Sequence, residues 1–354
     1  MVLMYLIAAV MVAVPSSCSV LPAAPQAAAG EPVSSRARER LSPEERLTAS
    51  LITLLEAGTT PWRREWDGAL SGGHHCNLLS GRRYSGANPV LLTLGMHLRG
   101  SALPYWCGFA EAKAVGLFPR RGSRAVYVLR PQRQQASPSP EGDSAEPAAG
   151  DPEPGAAPAA PRTWTRYRPV AVFNAADLDG PALETLLAKR RCAAGREQRP
   201  ELQRLAEAEV ALSAWPVPLQ HGSTYACYSP SLDRIVLPER SAFHSAAAYY
   251  ATWAHEVIHS TGHPSRLQRD LSGVHGSPAY AREELVAELG AVLLGDRLEI
   301  GSDTANHAAY LAGWIALLRE SPRVLLQVLG DARRAADLIC PERAIQSPAA
   351  SEAG

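Results

Sequence analysis

The stretch HEVIHSTGH, His255 to His263, places three histidines and a glutamate within nine residues. On a helix, His255 and His259 lie one turn apart on one face. Two imidazoles so spaced can hold a single Zn(II), while Glu256 points beside the metal as a general base for bound water. The five-residue pattern also arises by chance, so the chemistry needs a third ligand. The downstream segment SPAYAREELVAELGAVLLG offers one, because Glu284 and Glu288 sit four apart on one helix face. Glu284 can complete a His2Glu site, and Glu288 can accept a hydrogen bond from a ligand histidine. Glu283 falls off that face, since its i+4 partner is Ala287. His263 is a rival third ligand, but Gly262 should end the helix before it, so His263 is expected to shape the exit turn as an outer-shell residue. Tyr280 is either a donor to a developing oxyanion or a packing aromatic at a helix start. His244 and His275 have no fixed spacing to the others and fit ordinary surface or core roles. The chemistry implied is metal-assisted peptide hydrolysis.

The elements that must position these residues are well punctuated. SAFHSAAAYYATWAHEVIHS offers Ser241 or Ser245 as a cap, a run of helix-forming alanines, then Gly262 and Pro264 as a stop. Ser277 and Pro278 open the second helix. STYACYSPSLDRIVLP reads as a hairpin through Tyr228 and Ile235, whose edge could accept an extended peptide. With a helix near ELQRLAEAEVALSAW and two more towards Cys340, residues 201–345 make a mainly helical domain with a short β-sheet, followed by a flexible tail at 346–354. Residues 181–200 read as a linker.

Upstream, SPEERLTASLITLLEAG is an amphipathic helix capped by Ser42 and ended by Gly58. A helix at the end of GRRYSGANPVLLTLGMHL, a strand and short helix through YWCGFAEAKAVGLF, and strands in RRGSRAVYVLRP and TWTRYRPVAVFNAADL follow. The predicted fold is therefore α+β, with a small α+β domain over 41–180 ahead of the helical one. Residues 131–161 are Pro, Ala, Ser and acid with almost no large apolar side chain. They are expected to be a disordered insertion between two paired strands.

The 354 residues carry 35 Lys+Arg and 35 Asp+Glu, so net charge alone points to no polyanionic or membrane partner. Local charge says more. Residues 41–130 and 162–180 together hold fourteen basic side chains against eight acidic ones, an excess that the acidic insertion hides in the total. Aromatics interleave with the arginines: Trp62 and Trp66 flank Arg63 and Arg64, Tyr84 follows Arg82 and Arg83, and Trp164 and Tyr167 alternate with Arg166 and Arg168. Stacking platforms beside phosphate-binding charge are what single-stranded nucleic acid requires. The basic turn at Arg120, Arg121 and Arg124 adds to this face. A soluble surface over a small aromatic core explains the same composition.

Six cysteines lie singly, without a CxxC pair, which fits reduced thiols in the cytoplasm. The opening run MVLMYLIAAVMVAV has the length of a signal-peptide core but no basic residue before Arg36. Residues 1–40 are read as an apolar leader and flexible segment. Export or membrane tethering through residues 1–18 is the alternative, and no stable membrane partner is expected.

Taken in order, LLEAGTTPWRREW, SGRRYSGANPVLL, FAEAKAVGLFPRRGSRAVYV, VFNAADLDG, YACYSPSLDRIVLPERSAF, YYATWAHEVIHSTGHPSRLQRD and YAREELVAELGAVLL resemble the ArdC-type antirestriction proteins of plasmids and other mobile elements. The likeness covers most of residues 42–340. It implies an N-terminal domain that binds single-stranded DNA, joined to a zincin-like metallopeptidase domain, in a protein that protects incoming DNA from restriction. It also implies one Zn(II) on His255, His259 and Glu284, with Glu256 as base, the set the spacing gives independently. Ser123 and Arg124 stand where the family's basic turn commonly carries a lysine, and Asp177 where glutamine is usual.

Two functions follow. In the first, a zinc peptidase is brought by its basic domain to single-stranded DNA or a DNA-bound protein substrate. In the second, the protein only binds and shields the strand, and its metal site is structural or vestigial. Inhibition by DNA mimicry would need an acidic folded surface, whereas here the acid sits in the insertion.

Overall fold

The structure is a computed structural model that describes residues 41–58, 62, 66, 73–135, 163–197, 199–302 and 310–342. The leader, Arg63, Arg64, insertion residues 136–161 and the tail at 346–354 lie outside the described residues.

Ser42 caps α1 (Pro43–Glu56) in a capping box: its Oγ accepts from the Glu45 amide at 3.1 Å, and Glu45 accepts from the Ser42 amide at 2.8 Å. After β1 (Cys76–Asn77) come α2 (Asn88–His97), β2 (Tyr105–Gly108), α3 (Phe109–Ala114) and β3 (Phe118–Pro119). A long antiparallel pair follows, β4 (Val126–Gln135) and β5 (Thr163–Asn174), and then the short β6 (Leu178–Asp179). The first sheet runs β1-β2-β5-β4, and β6 pairs with β3.

The strand continues to Gln135, which pairs with Thr163, so the low-complexity segment begins at 136 rather than 131. Pro131 is tolerated because β4 is the edge strand of its sheet. Residues 181–200 are not an irregular linker either. They form α4 (Leu183–Glu197), which buries Leu183 and Leu187 against Leu117 and Leu178.

Next come α5 (Glu201–Ser213) and a second sheet of order β7-β9-β8, built from β7 (Leu219–His221), β8 (Cys227–Ser229) and β9 (Arg234–Leu237). At the centre, α6 (Ala246–Ser260) packs on α7 (Pro278–Leu298), flanked by α8 (Leu311–Glu320) and α9 (Val324–Ile339). Ser245 and Ser277 cap the central pair through their side chains. A Cβ at Gly290 of α7 would lie 2.8 Å from Ile258 of α6, so glycine there lets the two helices close on each other. The fold is thus α+β, with small sheets beside a mainly helical second half.

One core joins the two halves: Leu51, Leu55, Trp62 and Leu91 belong to the same buried cluster as Val257, Ile258, Leu285 and Leu289. A polar junction reinforces it. His74 lies between Asp296 (Nδ1 to Oδ2, 3.3 Å) and Glu299 (Nε2 to Oε1, 3.1 Å). Burial opposes charge on this imidazole, but hydrogen bonds to Asp296 and Glu299 outweigh it and raise its pKa. A histidine raised in the folded state stabilises fully below its unfolded value of about 6.5, and the contribution is lost as pH rises through the folded value. In urea unfolding, the stability gap between the wild type and His74→Gln should therefore be widest in mild acid and shrink on the alkaline side. A gap independent of pH would mean that the junction carries no protonated histidine.

Candidate metal centre

His255 and His259 stand on the last turns of α6, and Glu284 faces them from α7. The two Nε2 atoms are 3.1 Å apart, and Glu284 carboxylate oxygens lie 3.8 Å from His255 Nε2 and 3.6 Å from His259 Nε2. Tetrahedral bonds of about 2.0–2.1 Å separate ligand atoms by about 3.3 Å, so the triangle suits a zinc-sized ion. Among the described residues this is the cluster of three metal-binding side chains whose ligand atoms gather within 4.8 Å, and all three are buried.

The electrostatics fit a cation. Glu256 is fully buried, and its carboxylate oxygens and those of Glu284 make no hydrogen bond of regular geometry among the described residues, with the Tyr228 backbone beside Glu256 and the Tyr280 hydroxyl beside Glu284 as the neighbouring donors. Burial pushes Glu256 up to about 8 and raises Glu284 as well. On His259 burial opposes charge, yet Glu284 and Glu283 outweigh it and push the imidazole up to about 9. Carboxylates left this dry are what a dication compensates.

Each outward nitrogen faces a carboxylate, but only that of His259 is within hydrogen-bond distance of it. His259 Nδ1 is 3.1 Å from Glu283 Oε1, and Arg269 forks onto Glu283 at 2.9 and 2.8 Å. Burial would raise the Glu283 pKa, but Arg269 and His259 overcome it and hold the carboxyl low. Glu283, which the i+4 count put off the site face, is thus the residue behind His259. Glu288 lies behind His255, 3.7 Å from Nδ1, an ion-pair separation longer than the hydrogen bond expected from the sequence, and accepts the indole N–H of Trp62 at 2.7 Å.

Other candidates fall in different places. Tyr280 is buried on the first turn of α7, with its hydroxyl 3.4 Å from that of Tyr310. Burial and the neighbouring Glu284 keep it a phenol far above the ordinary range. His263 hydrogen-bonds to Ser265 Oγ at 2.7 Å and shapes the turn after α6, away from the ligands. Trp62 is 1% exposed, so it is no base-stacking platform but part of the metal surroundings. Trp66 is half-buried and edge-on to His74, and Tyr84 is half-buried against the Trp106 cluster. Arg82, Arg83, Arg120, Arg121 and Arg124 are exposed. No helix of the described residues is long and apolar enough to cross a membrane.

Residues 206–329 match a family described as a zincin-like metallopeptidase, and residues 42–167 match the N-terminal domain of anti-restriction factor ArdC. Two Escherichia coli proteins named DNA primase TraC are 36% and 34% identical over 83% of this chain. This chain spans only 27% and 20% of their respective lengths. The uncharacterized protein y4eC of Sinorhizobium fredii (strain NBRC 101917 / NGR234) is 32% identical, with 83% of this chain matching 90% of that protein. The crystal structure of the antirestriction ArdC protein from plasmid R388 superposes with a TM-score of 0.58 at 29% identity in its metal-free form. Its Mn(II)-bound form gives 0.57 at 28%, and each comparison covers 84% of this chain and 97% of that one. Both halves of that architecture are present here in the same order, and the chain belongs to the ArdC antirestriction family.

Proposed function

We propose that the protein holds one Zn(II) on His255, His259 and Glu284, hydrolyses a peptide bond with Glu256 as general base, and binds single-stranded DNA through its first half in the service of antirestriction. The convergence of three ligand atoms beside the sealed Glu256 carries the reading.

Bound zinc supplies Lewis acidity and a water with a pKa lowered to about 7. The chain's residues do the rest. Glu256 takes the proton of the attacking water and returns it to the leaving amine. The Tyr280 phenol, kept protonated by burial, donates to the oxyanion as it forms. Glu283 and Glu288 face the outward nitrogens of His259 and His255, so both Nε2 atoms stay aimed inwards. The strand β8, at the edge of its sheet with Tyr228 beside Glu256, is where an extended substrate would add.

For DNA, the β4–β5 pair supports a basic surface. Arg130 and Arg168 are exposed and directly opposite in register, while Tyr167, one residue out of phase, points to the other face of the sheet. The two arginines line a concavity of about 660 Å³ with Pro131, Gln132, Pro169, Val170 and Ala171. Two like charges facing each other across strands cost stability, a cost that a phosphate between them removes. Replacing both arginines by alanine should weaken single-strand binding and flatten the plot of log K against log salt by roughly 1.4. An unchanged slope would place the phosphates elsewhere.

Metal analysis of the purified protein together with single-stranded DNA titrations over a salt series tests the whole reading. About one zinc per chain and a steep salt dependence are expected. Loss of either result removes that half.

A further inference from the structure

We infer that Trp62, supplied by the first half of the chain, is a positioning residue of the metal centre, holding Glu288 in place behind His255. The inference rests on the reading of His255, His259 and Glu284 as ligands, and adds a residue that reaches the ion only through others.

Each ligand histidine turns Nε2 inwards and Nδ1 towards its own glutamate, Glu283 for His259 at 3.1 Å and Glu288 for His255 at 3.7 Å. A buried carboxylate can steady an imidazole only if it is itself held, since otherwise it swings away or takes up a proton. Glu283 is held by the charged fork of Arg269, which follows the ligand helix in sequence. Glu288 is held by a neutral donor from a distant part of the chain, the Trp62 indole, whose Nε1–H reaches Oε1 at 2.7 Å while Oε2 is the atom facing His255.

Trp62 is itself fixed on two sides. Its ring meets Trp314 edge to face at 5.4 Å, and its carbonyl accepts the Ser302 hydroxyl at 2.7 Å. An indole N–H only donates and does not titrate near neutrality, so it orients one carboxylate oxygen and leaves the other for the histidine. The metal centre is therefore not contained within the 206–329 stretch that matches the metallopeptidase family. One of its outer hydrogen bonds comes from the half that matches the ArdC N-terminal domain.

The test is a zinc titration against a competing chelator on the full chain, comparing wild type, Trp62→Phe, Glu288→Gln, the double variant and Trp314→Phe. Trp62→Phe keeps most of the ring packing and loses the hydrogen bond, so zinc affinity should fall by about 10–100-fold. Because both residues act on His255 through one contact, the double variant should bind no more weakly than Glu288→Gln alone. Trp314 donates to the Ala281 carbonyl and not to Glu288, so Trp314→Phe keeps an aromatic ring beside Trp62 and the Trp62–Glu288 bond, and its zinc affinity should fall clearly less than that of Trp62→Phe. Wild-type affinity in Trp62→Phe, additive losses in the double variant, or an equal loss in Trp314→Phe would overturn the inference. A wild type that binds no zinc would instead overturn the ligand assignment beneath it.

Discussion

Changing Glu256 to glutamine should lower hydrolysis of labelled casein at least about 100-fold while leaving zinc content at the wild-type level. The two outcomes separate because Glu256 is not one of the three gathered ligands, yet it is buried beside them with neither carboxylate oxygen making a hydrogen bond of regular geometry among the described residues. Glutamine keeps the volume and removes the base, so the fold loses no packing and sheds a carboxylate whose burial is uncompensated in the metal-free state. The melting temperature without metal should therefore match or exceed that of the wild type. Residual hydrolysis near the wild-type rate would remove Glu256 from the mechanism. The same variant decides between the two functions named from sequence. If protection of incoming DNA falls with hydrolysis, antirestriction runs through the peptidase site. If protection survives, DNA binding by the first half is sufficient.

The helices that carry these residues were legible because local signals agreed. Caps at Ser245 and Ser277, alanine-rich interiors and i, i+4 spacing are properties of single helices, and the structure brings His255, His259 and Glu284 together. What was not legible depends on elements meeting. The i+4 count treats α7 as having one site face, but at its packing against α6 two consecutive residues reach different nitrogens of one ring: Glu284 approaches His259 Nε2 at 3.6 Å and Glu283 approaches Nδ1 at 3.1 Å.

Trp62 misled for a related reason. A tryptophan followed by two arginines reads as a stacking surface, and only the arrival of Glu288 from α7 reveals what its N–H is for. At 131–135, composition suggested disorder, whereas a paired strand supplies the backbone hydrogen bonds that those side chains could not earn by burial. Residues 181–200 look charged and loose in isolation, yet they offer Leu183 and Leu187 at helical spacing to a core built elsewhere.

Arg269 should prove the most costly single truncation near the site. Its guanidinium makes both prongs of a fork on Glu283 and also donates to Thr261 Oγ1 at 2.7 Å and the Ile258 carbonyl at 2.8 Å, tying the end of α6 to the start of α7. Alanine would leave Glu283 as a buried carboxylate with only His259 beside it, while the Ile258 carbonyl would keep the Thr261 amide and hydroxyl as donors. Breaking one side of such a pair costs about 3–5 kcal/mol. Lysine is the informative partner variant: it restores the charge but not the planar fork, so it should recover only part of the loss. Urea unfolding of the three proteins without metal measures this directly. If alanine falls within about 1 kcal/mol of the wild type, the range of an exposed pair, the fork contributes little net energy. If lysine matches arginine, charge alone holds Glu283 behind His259. The expected order, arginine above lysine above alanine, would make the bidentate geometry the reason that the turn after α6 carries an arginine at this position.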